Sequence, residues 1–187
     1  MEMRVLKMAV VAGAFVAATA LATAATAQQE IPRAPSTPDT PKNWVAPAYK
    51  SLAQALVDEL MAKHPEVASI TMHGTPPGKK DIYTMFAGSF DDRIGNESSG
   101  GDIITIKKGV TQVESKWGSA NWMKRVTIVA PVKNAKGDYL PIAMCIAFYQ
   151  SPTSGKIDTD FLQPGVKIRD SIMSRIASVE ALFGPAK

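Results

Sequence analysis

The chain has 187 residues, 45% hydrophobic and 20% charged, with 21 basic side chains against 17 acidic ones. That length supports one domain with a substantial core. The small positive balance is dispersed in pairs such as Lys79-Lys80, Lys107-Lys108 and Lys124-Arg125, which argues against the clustered basic face of a nucleic-acid binder, and the single cysteine, Cys145, excludes an internal disulfide.

Residues 1–27 follow the order of a secretory signal peptide. Arg4 and Lys7 form a short basic start, Met8 to Ala25 is an apolar run built mainly of Ala and Val, and Ala25-Thr26-Ala27 places small residues where a signal peptidase requires them. The run is rich in Ala and Thr rather than Leu, so cleavage near Ala27 is expected, not a retained anchor. No Cys stands at the cleavage site for lipid attachment. The expected location is the periplasm. Without Arg4, Lys7 and Glu2 the balance becomes 19 basic to 16 acidic, a net of +3.

Residues 28–48 read as a disordered linker. Pro32, Pro35, Pro38, Pro41 and Pro47 are spaced by Ser, Thr, Asp and Lys, a composition that favours extended, solvated chain. Trp44 and Tyr49 are expected to pin its end to a single domain over residues 49–187.

A helix is expected from Ser51, a suitable N-cap. Leu52, Leu56 and Leu60 recur at helical spacing, and His64-Pro65 stops the helix because a residue before proline avoids helical angles. Ser69 to His73 and Ile82 to Phe86 read as strands bounded by Gly74 and Pro76-Pro77-Gly78. Asp91 to Asp102 reads as a polar loop. Ile103 to Lys107 and Val110 to Ser115 read as a short hairpin around Lys108-Gly109. Val126, Ile128, Ala130 and Val132 define a further strand, and Lys133 to Asp138 a turn. In the next strand Leu140, Ile142, Met144, Ile146 and Phe148 line one face, while Pro141, Ala143, Cys145 and Ala147 line the other. Two apolar faces predict a central strand covered on both sides. The small-residue face suits close approach of a helix or a ligand. A last helix is expected over Gly165 to Phe183, with Ile172, Ile176, Val179 and Phe183 on its apolar face. The fold class is therefore α+β: an antiparallel sheet of about five strands with N-terminal and C-terminal helices packed on it.

This order resembles the PAS-like and Cache-like extracytoplasmic sensor domains, among the profilin-like folds. The resemblance covers about residues 50–150. It is carried by Val126-Thr127-Ile128-Val129-Ala130-Pro131-Val132, the turn Asn134 to Gly137, and Ile142 to Phe148, together with the helix that closes on His64-Pro65-Glu66-Val67. It implies a free-standing sensor module that passes its state to a membrane-bound signalling partner. It also implies a ligand held over the sheet, beneath the loops preceding the later strands.

Catalytic signatures are absent from the sequence. There are two histidines, His64 and His73, at no recognised metal spacing, and there is no nucleophile elbow, Walker motif or dinucleotide fingerprint. Cys145, in an apolar run, reads as a buried inert thiol. No enzyme activity, metal or cofactor is expected. The candidate binding residues are aromatic and basic: Trp117, Trp122, Lys124 and Arg125 near one another in sequence, Tyr83 and Met85 on one strand, Tyr139 and Tyr149 near the ends of another, and Arg93 as a further cation. Such groups over a sheet suit a small anionic or aromatic organic ligand. The alternative is that the tryptophans cover the core edge and the cations face water, in a protein-interaction or structural domain of a signalling or envelope complex.

Overall fold

A computed structural model describes residues 40–117 and 124–186 of the chain. The signal segment, the first part of the linker and Trp122 lie outside the described residues. The architecture is α+β. Helix α1 (Leu52–Lys63) begins where Ser51 Oγ accepts the Gln54 N–H at 3.1 Å and ends at His64. Five strands form one antiparallel sheet: β1 (Val67–Gly74), β2 (Thr84–Gly88), β3 (Gln112–Trp117), β4 (Lys124–Lys133) and β5 (Tyr139–Gln150), in the spatial order β2-β1-β5-β4-β3. The doubly apolar strand, β5, is central, paired with β1 on one side and β4 on the other.

Alternation along the strands sorts side chains onto two faces. Ile70, Met72, Ile128, Ile142, Met144 and Ile146 are all fully buried on the first face. They meet α1, α3 (Leu162–Asp170) and α4 (Val179–Phe183) in the main core. On the second face α2 (Gly100–Lys108) lays Ile106 against Val129 and Ala143. The small residues of β5 allow this approach. Helix α2 covers only part of that face, and the remainder is open.

Two segments depart from the expected elements. Ile103 to Lys107, read as a strand, belongs to α2. The β-branched run suggested extended chain, but local end signals win. Ser99 and Asp102 form a capping box, and Gly109 closes the helix at φ 64 in the left-handed region that glycine adopts without penalty. The long C-terminal helix is broken into α3, a 3-10 turn at Met173–Arg175, and α4. Ile172 and Ile176 are both buried, and the Ile176 carbonyl is drawn out of helical pairing to accept the Ala135 N–H at 2.9 Å. Ser178 then caps α4 through the Ala181 N–H.

The end of the proline-rich segment is held against the domain. The Asn43 and Trp44 N–H groups donate to the Gly95 carbonyl, the Trp44 ring meets Phe183 edge-on at 5.8 Å, and Tyr49 Oη donates to the Phe183 carbonyl. No helix among the described residues is long and apolar enough to cross a membrane.

Candidate functional site

The open part of the second sheet face forms the floor of a cavity of 420 Å³. Strand period decides which side chains reach it. Ser69, Thr71 and His73 come from β1, Cys145 and Ala147 from β5, Arg125 and Thr127 from β4, and Glu114 and Lys116 from β3. The loop before α2 supplies one wall through Arg93, Asn96, Glu97, Ser98 and Ser99, and the first turn of α2 supplies Asp102. Met85 and Phe90 add apolar surface.

At its inner end the cavity holds a buried polar cluster. His73 is 9% exposed and Asp102 5%. The His73 Nδ1 lies 3.1 Å from Ser98 Oγ and 3.5 Å from Asp102 Oδ2, and its Nε2 lies 2.9 Å from Thr71 Oγ1. Cys145 Sγ donates to Asp102 Oδ1 at 3.0 Å. The Ser99 N–H and Oγ–H both donate to Asp102 Oδ2, at 2.8 and 2.7 Å. The capping chemistry that starts α2 thus also aims the carboxylate at the sheet.

Burial acts on these groups in opposite senses. It lowers His73, against the pull of Asp102, so the ring is held toward its neutral form. Burial raises Asp102, but the His73 ring and the hydrogen bonds from Cys145 and Ser99 outweigh it, and the carboxyl stays below its ordinary value. Burial and then the Asp102 charge push the Cys145 thiol well up. Cys145 is therefore a protonated donor to a carboxylate, the opposite of a thiolate activated by a histidine.

The outer end is cationic. Lys116 and Arg125 are direct cross-strand partners, a like-charge pairing that costs energy unless opposite charge is near. Arg93 approaches from the loop, its guanidinium 4.6 Å from the centre of the Phe90 ring. Burial first, then the charge of Arg125, lower its pKa, with Asp92 opposing. Glu114 lies between the two ends. Burial and Asp102 raise it, while Lys116 and Arg125 pull it down.

Of the residues expected to bind, Met85, Arg93 and Arg125 line this cavity. Tyr149 is the cross-strand partner of Arg125. Tyr83 packs beside α2, with the Lys107 ammonium 5.2 Å from its ring centre. Lys124 lies on the other face of β4, in an ion pair with Asp158. Tyr139 is exposed at the far end of β5, beside Lys133. Trp117 ends β3. His73, Asp102, Cys145 and Lys116 were not among the expected site residues. Ser99-x-x-Asp102 ahead of an apolar run was the available signal for the loop and helix that shape the wall, and the alternating polar side chains of Ser69, Thr71 and His73 were the signal for the floor.

No protein-family model and no curated protein matches the chain.

Proposed function

We propose that this is an exported, periplasmic binding domain of the Cache-like or PAS-like kind, which takes a small organic anion into the cavity over the sheet and performs no chemistry on it. One observation carries the reading: Arg93, Lys116 and Arg125 converge at one end of a 420 Å³ cavity. The volume is in the range of small-molecule sites. An anion placed there shares the three cations with Glu114, which lines the same cavity, and Met85 and Phe90 supply apolar contact for its carbon skeleton. The thiol is held protonated and donates to the Asp102 carboxylate, which supports binding without catalysis.

A thermal-shift screen of organic acids, amino acids and purines tests this. A ligand present at 100 times its Kd stabilises the folded state by about 2.7 kcal/mol, which is roughly 5–10 °C in Tm for a domain of this size. Arg125→Ala and Arg93→Ala should each remove most of the shift. No shift from any member at millimolar concentration rejects the ligand reading and leaves a surface for a protein partner.

A further inference from the structure

The inner end of the cavity carries a second inference, independent of the organic ligand. We propose that His73, Asp102 and Cys145 form a three-ligand site for a zinc-class divalent cation, with its fourth position open to the cavity.

The three side chains come from β1, α2 and β5 and offer one nitrogen, one oxygen and one sulfur, all within 4.8 Å of one another. A tetrahedral zinc ion with bonds of about 2.0–2.3 Å has ligand-to-ligand edges of roughly 3.3–3.8 Å. His73 Nδ1 lies 3.5 Å from Asp102 Oδ2, within that range, and Cys145 Sγ lies 3.0 Å from the other carboxylate oxygen, Oδ1, a little short of it.

Charge points the same way. Asp102 is a buried carboxylate that accepts its hydrogen bonds from the neutral donors Ser99 and Cys145 and lies 3.5 Å from a histidine ring nitrogen. A buried anion without a full countercharge is costly. A divalent cation supplies that charge. As the metal–sulfur bond forms, the Cys145 thiol loses its proton to solvent, and the dication with one thiolate and one carboxylate is neutral overall. The ligand set also selects the metal: thiolate and imidazole suit zinc, whereas magnesium and calcium take oxygen donors.

The surroundings fit as well. Ser99 holds Asp102 through two hydrogen bonds, and Thr71 Oγ1 engages the far nitrogen of His73. Such outer contacts fix the orientation of metal ligands. The fourth position faces the cavity, where water or an anionic donor completes the tetrahedron.

The test uses the reduced full chain and cobalt(II) alone, with no organic ligand present. A 1:1 complex should show a thiolate-to-cobalt charge-transfer band and the strong visible bands of tetrahedral cobalt, and zinc should bleach both. Cys145→Ser should abolish the charge-transfer band. His73→Gln and Asp102→Asn should each weaken cobalt binding by more than about 100-fold, and Ser99→Ala, which touches only Asp102, by roughly 10-fold. His64→Ala should change nothing. Absence of a charge-transfer band in the wild type overturns the proposal, whatever the ligand screen gives. Should a ligand variant lose its native circular dichroism, X-ray absorption of the zinc-loaded wild type decides. One sulfur with nitrogen and oxygen neighbours supports the site; a sulfur-free shell rejects it.

Discussion

Gly165→Ala sets two effects of opposite sign against each other. Gly165 is buried within α3, and a methyl group there would lie 2.7, 2.8 and 3.1 Å from three carbons of Ile128 on β4. Helix propensity alone favours alanine by up to about 1 kcal/mol. Ordinary carbon contacts lie near 3.5–4.0 Å, so α3 must retreat from the sheet or Ile128 must leave its rotamer. Ile128 is fully buried in the main core, which leaves it nowhere to go, and overpacking of that kind costs about 1–3 kcal/mol. The steric effect wins: the variant should be less stable by about 1–2 kcal/mol, or roughly 2–8 °C in Tm. Urea unfolding followed by far-UV circular dichroism measures it. A double-mutant cycle with Ile128→Ala, which removes two of the three close carbons, should show that the pair costs less than the sum of the single changes. Gly100→Ala is the control, because a methyl group there meets nothing within 4 Å. It should be neutral or slightly stabilising. If Gly165→Ala proves as stable as the wild type, the close packing of α3 on β4 is wrong.

Removing the capping hydroxyl with Ser99→Ala should cost about 1 kcal/mol, read as a fall in Tm, with hydrogen exchange quickening first in α2. Lys63 and Arg175 hold the Glu59 carboxyl at about 2, below its ordinary 4.5, through side-chain hydrogen bonds. A depressed folded pKa means stability that is present above the unfolded value and lost as pH falls. The gap between wild type and Glu59→Gln should therefore stay constant above about pH 5 and shrink between pH 4.5 and 2 in acid titrations of stability; a gap that persists at pH 2 contradicts the ion-pair account. In metal-free protein, Cys145 should react with a thiol reagent at pH 8 at least about 10-fold more slowly than the urea-unfolded chain, since the thiol is held protonated. Equal rates would mean an accessible, unperturbed thiol.

The elements whose signals are local were readable in the sequence. Ser51 and His64-Pro65 bracket α1, and the two apolar faces of β5 point to a strand covered on both sides. Helix α2 was misread because Ile103, Ile104 and Ile106 favour extended chain one residue at a time, while the helix depends on cooperation between Ser99, Asp102 and Gly109 at its ends. The C-terminal helix was read too long because the spacing of Ile172 and Ile176 says that both are buried, not that the Ile176 carbonyl bonds to Ala135 instead of to its own helix. Arg93, Met85 and Arg125 could be nominated by residue type. His73, Asp102 and Cys145 could not be grouped, since β1 and β5 become neighbours only through sheet pairing and Asp102 reaches them only because α2 lies across that face.

The place of β5 in the sheet has a consequence for how the chain acquires its structure. Among the described strands it is the last in sequence and the middle one in space, and it pairs with both β1 and β4, joining the β1–β2 pair to the β3–β4 pair. Until Gln150 has been made, those pairs are two separate ribbons, each with an apolar edge and no partner for it. Closure is therefore a single late event over long sequence separation, which slows folding. A nascent chain emerging from its N-terminus stays unfinished until its final third appears, and a truncation before Tyr139 should yield two sticky fragments of sheet, not a smaller domain.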